Sequence, residues 1–145
     1  MKKVVLAFSG GLDTSFCVPY LKNEKGLEVH TVLVNTGGFS KEEAARIEER
    51  ALTLGAASHT TVDAVDTYYN KGLKYLIYGN VLKNNTYPLS VSSERVFQAL
   101  EVLNTVKKIG ADYVAHGSTG AGNDQVRFDI VFEIMAPEVE ILAPI

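Results

Sequence analysis

Val4-Val5-Leu6-Ala7-Phe8-Ser9-Gly10-Gly11-Leu12-Asp13-Thr14-Ser15 is the stretch that decides the fold. A continuous apolar, β-favouring run stops at Ser9-Gly10-Gly11, and a helix-compatible segment headed by Asp13, Thr14 and Ser15 follows. A strand, a glycine turn and a helix start together make a seat for an anion. Two adjacent glycines reach backbone angles closed to other residues and let a ligand approach the main chain. The first amides of the following helix have no intrahelical partner, and the helix dipole favours negative charge there. Ser9, Thr14 and Ser15 add hydroxyl donors at the same point. The pattern implies nucleotide phosphate binding. It excludes two familiar versions: no G-x-x-x-x-G-K-[ST] supplies a phosphate-gripping lysine, and no third glycine completes G-x-G-x-x-G. The bland alternative is an ordinary strand-to-helix turn capped by Asp13, which has little need of paired glycines and three hydroxyls.

Outward from this loop, the 145 residues suffice for one domain with one sizeable core. A 46% apolar and 21% charged composition is that of a soluble globular chain. The formal charge of −3 offers no broad basic surface, so no nucleic-acid partner is expected. A lone cysteine, Cys17, excludes an intramolecular disulfide and any CxxC pair, and its place in the first helix reads as a small buried hydrophobe. With no secretory h-region and no apolar run long enough to span a bilayer, the chain reads as cytoplasmic, without a membrane partner.

Strands and helices alternate along the sequence. Residues 3–8 form a buried strand and 14–24 a helix stopped by Lys25-Gly26. Glu28 to Val34 is a second strand leading to the turn Asn35-Thr36-Gly37-Gly38. Ser40 opens a helix with a capping box to Glu43; Ala44, Ile47, Ala51 and Leu54 share one face, and Gly55 ends it. His59 to Val62 is a short third strand, and residues 64–83 are mostly helical, weakened by Gly72 and Gly79. Ser92 or Ser93 caps a further helix with the apolar stripe Val96, Leu100, Leu103, Val106 and Ile109, stopped by Gly110. Asp112 to His116 is a fourth strand, about Asn123 to Met135 a helix, and Val139 to Leu142 a fifth strand after Pro137. The alternation predicts an α/β fold, a doubly wound parallel five-stranded sheet with helices on both faces. The abrupt end at Ala143-Pro144-Ile145, directly after a strand, reads as that of a fragment.

In such sheets ligands bind beyond the carboxyl ends of the strands, where strand order reverses. The first and fourth strands both run into glycine-rich loops, so if they are neighbours the loops share one crevice. Gly117-Ser118-Thr119-Gly120-Ala121-Gly122 would expose main-chain amides at a second helix start. Asn123, Asp124 and Arg127 then lie along one helical turn. Arg127 suits a carboxylate and Asp124 an ammonium group, which together match an α-amino acid. The alternative is that Asn123 and Asp124 cap the helix while Arg127 makes a surface ion pair.

The first loop resembles the pyrophosphate loop of the ATP pyrophosphatases, S-G-G-x-D-S, and its extra Thr14 before Ser15 is similar to the form found in argininosuccinate synthases. The stretch from Ala115 to Asp129 resembles the second signature of that family, and Tyr87-Pro88-Leu89-Ser90-Val91-Ser92-Ser93-Glu94-Arg95 resembles its citrulline-contacting segment more loosely. The resemblance covers essentially the whole chain but only the family's N-terminal nucleotide-binding domain, a HUP or adenine nucleotide α-hydrolase-like fold. It implies a nucleotide-binding domain over residues 1–145, with the C-terminal synthetase and multimerisation domain absent. It also implies ATP contacts at Ala7, Phe8, Ser9, Gly10, Gly11, Leu12, Asp13, Thr14, Ser15, Val34 and Gly117, with Asp13 and Ser15 the candidate catalytic groups. Tyr87 and Ser92 would contact citrulline, Thr119 and Asp124 aspartate, Asn123 both, and Arg127 the citrulline carboxylate.

The implied reaction joins citrulline and aspartate to argininosuccinate, splitting ATP to AMP and pyrophosphate through an adenylated citrulline, in arginine biosynthesis. ATP is a co-substrate, Mg²⁺ accompanies it, and Asp13 orients the loop or helps place the ion. The metal ligands and the general base are not identified by the sequence. The family also implies a homotetramer for the full-length protein and little turnover by this fragment alone. The sequence departs from the family pattern in two places: Val34-Asn35-Thr36-Gly37-Gly38 replaces Ala-Asp-Ile-Gly-Gln, and Glu94 and Val96 break an Ala-Arg-Pro run around Arg95. Rival readings are another pyrophosphatase-loop enzyme (a tRNA thiolase or an amidotransferase synthetase) and a non-catalytic ATP-binding module. His116 reads as a packed strand-end residue, and Tyr68, Tyr69, Tyr75 and Tyr78 as core or interface.

Overall fold

The computed structural model describes residues 1–80, 82–83, 87–120 and 122–145, with 82–83, 87–88 and 90–91 described by backbone alone. Its centre is a five-stranded sheet in the order β3-β2-β1-β6-β7. These strands are β1 (Lys3–Ala7), β2 (Glu28–Asn35), β3 (Ser58–Asp63), β6 (Tyr113–Ala115) and β7 (Glu140–Leu142), and every neighbouring pair is parallel. The expected five strands and doubly wound parallel sheet are all present. A short antiparallel pair, β4 (Leu82–Lys83) and β5 (Tyr87–Pro88), had no counterpart in the sequence reading.

The two faces of the sheet carry separate cores, which is why β1 is apolar without alternation. Val4 and Leu6 face α1 (Leu12–Asn23) and α2 (Lys41–Thr53), packing with Cys17, Val18, Leu21 and Ala51. Val5 faces the other way, against α5 (Ser90–Ile109) and α6 (Asn123–Met135), where Ala99, Val102, Val106, Phe128 and Phe132 close the core. Phe132 is 1% exposed, and truncation of so large a buried ring costs about 3–5 kcal/mol.

Local chemistry sets the boundaries. Ser40 and Glu43 form the expected capping box at the head of α2, and Gly110 takes the left-handed conformation (φ 67°, ψ 46°) that ends α5. Two expectations need correction. Helix α5 begins at Ser90 with Leu89 at its cap and no side-chain capping bond, so neither Ser92 nor Ser93 starts it. Its buried stripe runs through Ala99, Val102, Leu103 and Val106, leaving Val96 38% exposed. Residues 64–83 are mostly helical, as expected: α3 (Val65–Tyr68) passes through a wide π turn, Tyr69–Leu73, into α4 (Lys74–Tyr78), which Gly79 ends. The π turn contains Gly72, where a Cβ would stand 2.7 Å from the Phe97 ring of α5. Of the four tyrosines, Tyr68 is core, whereas Tyr69, Tyr75 and Tyr78 are exposed. Among the described residues no helix is long and apolar enough to cross a membrane.

Candidate functional site

Strand order reverses between β1 and β6. The chain winds outward from β1 through β2 to β3, then crosses back to place β6 and β7 on the other side. β1 and β6 pair directly, with Val4 opposite Tyr113 and Leu6 opposite Ala115. The loops that follow them therefore open into one crevice, the position where open α/β sheets hold ligands.

The first loop is built as an anion seat. Gly10 has φ of +76°, and α1 begins at Leu12 with Gly11 at its cap and no side-chain cap, so Asp13 does not cap this helix. Ser15 N–H is the first amide of α1 to reach a carbonyl, Gly11 O at 3.0 Å, so the amides of Leu12, Asp13 and Thr14 have no intrahelical partner. The hydroxyls around them are only loosely engaged: Ser9 Oγ lies 3.4 Å from both Thr14 Oγ1 and Gly11 N. Ser15 Oγ is buried with no partner among the described residues. An unsatisfied buried hydroxyl costs stability unless something fills its place, and it stands beside open amides. From the other side α2 braces the loop. Arg50 donates to Gly10 O at 2.6 Å, and a Cβ on Gly10 would meet Ile47 Cγ1 at 3.0 Å.

The second loop presses against the first. A Cβ on Gly117 would lie 2.9 Å from Thr14 Cγ2 and 3.3 Å from Thr14 N, so only glycine allows this approach. His116, 1% exposed, shapes the turn: its Nδ1 accepts the Ser118 amide at 3.2 Å, which leaves the proton on Nε2 to be donated to Asp129 Oδ1 at 2.9 Å. Both ring nitrogens are committed and the ring stacks on Phe128, so this histidine is a packed structural residue.

Two adjoining cavities result. One, of about 460 Å³, lies over β1 and β2 and is lined by Ala7, Phe8, Ser9, Gly11 to Thr14, Val34 and Gly117 among others. The second, of about 490 Å³, is lined by Asp13, Gly117, Ser118, Thr119, Gly122, Asn123, Asp124 and Arg127. Asp13, Gly117, Ser118 and Asp124 border both. Of the residues singled out in the sequence, Gly10, Ser15 and Ser92 line neither cavity. The Tyr87 side chain lies outside the described residues.

Helix α6 is capped by Gly122 without a side-chain bond, so Asn123 and Asp124 are not its caps. Asp124 instead takes Arg127 on one oxygen at 2.9 Å and Arg95 Nε on the other at 3.2 Å. Arg95 is part of a polar chain that sequence reasoning missed. Its NH1 donates to Gln98 Oε1 at 2.8 Å, Gln98 Nε2 donates to Glu94 Oε1 at 3.3 Å, and Thr36 Oγ1 donates to the same Glu94 oxygen at 2.5 Å. Glu94, Arg95 and Gln98 all line the first cavity. Asn35 folds the loop after β2: its Oδ1 accepts Gly37 N–H at 2.9 Å and Phe39 N–H at 3.3 Å, and its Nδ2 donates to Phe39 O at 2.8 Å.

A parallel doubly wound sheet with a lysine-free glycine loop at its switch point defines the class, a HUP domain. Comparison with known proteins narrows this. Residues 3–145 match the family model described as the arginosuccinate synthase N-terminal HUP domain, and the chain belongs to that family. It is 48% identical over 144 residues to an argininosuccinate synthase of Xylella fastidiosa, covering 99% of this chain and 35% of that protein. It is 46% identical over 142 residues to one of Saccharolobus solfataricus, covering 98% and 36%. The chain thus spans about a third of the length of these relatives. Among solved structures, NMN synthetase from Francisella tularensis superposes with a TM-score of 0.61 at 12% identity, covering 81% of this chain and 46% of that one. A predicted tRNA methyltransferase subunit from Methanocaldococcus jannaschii gives 0.58 at 23% identity, covering 99% and 68%. At these identities both show the fold alone.

Proposed function

We propose that residues 1–145 are the nucleotide-binding domain of an ATP-dependent ligase that joins citrulline and aspartate to argininosuccinate, releasing AMP and pyrophosphate. The observation that carries this reading is the shared wall of the two cavities. One cavity ends in the open amides of Leu12, Asp13 and Thr14, and the other holds the charged pair Asp124 and Arg127.

The chemistry explains why the two must adjoin. A ureido carbonyl is a poor electrophile with no good leaving group. In the proposed first step its oxygen attacks the α-phosphorus of ATP, and the bond to the bridging oxygen breaks to release pyrophosphate. In the second, the aspartate amine attacks the same carbon, AMP departs with the oxygen, and the amine gives up a proton. The protein's work is positioning and charge stabilisation. The amides and hydroxyls of residues 9–15 hold the departing pyrophosphate, and Gly117 keeps the second loop close to it. Val34 offers backbone to the base.

At the wall the two cavities share the charges are paired with each other: Asp124 lies between the Arg127 guanidinium of the second cavity and the Arg95 guanidinium of the first. An amino acid brings one charge of each sign, so its ammonium replaces Arg127 at Asp124 while a carboxylate takes the freed guanidinium. Arg95 keeps Asp124 oriented through that exchange. Among the described residues no group of three or more His, Cys, Asp or Glu side chains could hold a metal. Mg²⁺ is commonly bound through substrate phosphates and one or two carboxylates. Asp13 is the carboxylate at hand, and the ion would neutralise phosphate charge.

The test is calorimetry with ATP on this chain and on Asp13→Ala, followed by pyrophosphate release with each amino acid alone and with both. We expect ATP binding weakened by the substitution, and slow release that requires both citrulline and aspartate. Release indifferent to the amino acids would refute the ligase reading, and ATP binding with no release even in longer family members carrying these loops would favour a non-catalytic module.

A further inference from the structure

The carboxylate of Glu94 is an unusual group to find in a cleft read as holding a polyanion. It stands one turn into α5, lines the cavity with Ala7, Phe8 and Val34, and is fixed by two donors from different directions. Thr36 Oγ1 reaches Oε1 at 2.5 Å from the loop after β2, and Gln98 Nε2 reaches it at 3.3 Å from the next turn of α5. Gln98 is itself held by Arg95 at 2.8 Å. The side chain is therefore set in place before any ligand arrives.

Two facts give this carboxylate a use. An ionised carboxylate only accepts, with about four lone-pair positions on its two oxygens, and among the described residues no donor reaches Oε2. A nucleoside triphosphate carries its donors on the nucleoside alone, since the phosphates are acceptors and bear the negative charge. Phosphates are repelled by Glu94 and drawn to the amides at the head of α1. The remaining cleft, on the β2 side where Thr36 follows Val34 by two residues, is left for sugar and base.

We propose that Glu94 is a specificity-determining residue of this cleft, accepting a hydrogen bond from a donor group of the bound nucleoside. The donor is a ribose hydroxyl or the exocyclic amine of the base, which share this chemistry. Thr36 and Gln98 are the positioning residues that aim it. The proposal rests on the nucleotide reading above.

The experiment is a set of calorimetric titrations of this chain with ATP, 2′-deoxyATP, 3′-deoxyATP and purine riboside triphosphate, which lacks the amine. The analogue missing the recognised donor should bind about tenfold or more weakly than ATP, the value of a hydrogen bond to a charged group. Glu94→Ala should level that ratio to within about twofold while leaving the ratios for the other analogues as they were. Should Glu94→Ala fail to fold, Glu94→Gln, which keeps an acceptor for Thr36 and Gln98 but lacks the second carboxylate oxygen, carries the same comparison. Equal binding of all four nucleotides by the unaltered chain, or discrimination that survives both substitutions, overturns the proposal and leaves Glu94 a clip between the β2 loop and α5. Absence of ATP binding altogether removes the nucleotide reading as well, so the two failures are distinct.

Discussion

Replacing Gly117 with alanine adds one methyl group where the two loops touch. The new carbon would stand 2.9 Å from Thr14 Cγ2, 3.3 Å from Thr14 N and 3.4 Å from Thr14 Cα. The Thr14 methyl can swing away, but only by turning Oγ1 off Gly11 O, now at 3.3 Å, and off Ser9 Oγ, now at 3.4 Å. The backbone atoms cannot swing, so the head of α1 must retreat from the second loop by a few tenths of an ångström. Overpacking of this kind costs about 1–3 kcal/mol. Taking about 1–2 kcal/mol here, the melting temperature should fall by roughly 3–8 °C for a domain this size. The amide that retreats is one of those read as holding phosphate. Loss of a single charge-assisted hydrogen bond weakens ATP binding about tenfold to a hundredfold. Gly120→Ala is the control from the same loop: its nearest neighbour would be Gln125 Oε1 at 3.5 Å, an ordinary contact. Thermal melting and calorimetry with ATP on both variants check the argument. If Gly117→Ala binds ATP as the unaltered chain does, or Gly120→Ala loses as much, the two loops do not share a ligand.

Two further outcomes follow from the framework around the site. Ser40→Ala removes the capping box at α2, whose Ser40 Oγ accepts Glu43 N–H at 3.2 Å, and should cost about 1 kcal/mol in urea unfolding; an unchanged midpoint would show that tertiary contacts alone hold that helix end. Burial pushes the Cys17 thiol up from 9.0 to about 11, so in the native chain near neutral pH it should resist iodoacetamide and react readily once unfolded. Because the folded value lies above the unfolded one, the neutral thiol's contribution is complete below pH 9 and is lost as pH rises through about 11. A stability–pH profile in which Cys17→Ala shows the same alkaline decline would contradict this.

What could be read in the sequence divides along a physical line. The sheet, its helices and the crevice between β1 and β6 were legible because β1 and β2 are largely apolar runs, glycines punctuate the loops, and α2 opens with a capping box. The capping box at Ser40 and the glycines at 10, 11, 110 and 117 are signals that act within a few residues. The start of α5 was misread because Ser92 and Ser93 look like caps, whereas α5 carries no side-chain cap at all. Residues 64–83 are mostly helical as read, and the weakness signalled by Gly72 is a turn that opens to the π form close under the Phe97 ring.

The polar chain from Thr36 through Glu94, Gln98 and Arg95 to Asp124 was beyond reach for a different reason. Thr36 and Glu94 are 58 residues apart in sequence, and Arg95 and Asp124 are 29 apart. No periodicity or motif links such positions; only the packing of α5 across the sheet brings them together. Taken one at a time, a threonine after a strand and a glutamate on a helix are the commonest of solvated residues. Thr36 Oγ1 and Gln98 Nε2 both donate to the same oxygen of Glu94, so the role of each side chain is set by partners that the sequence does not place beside it.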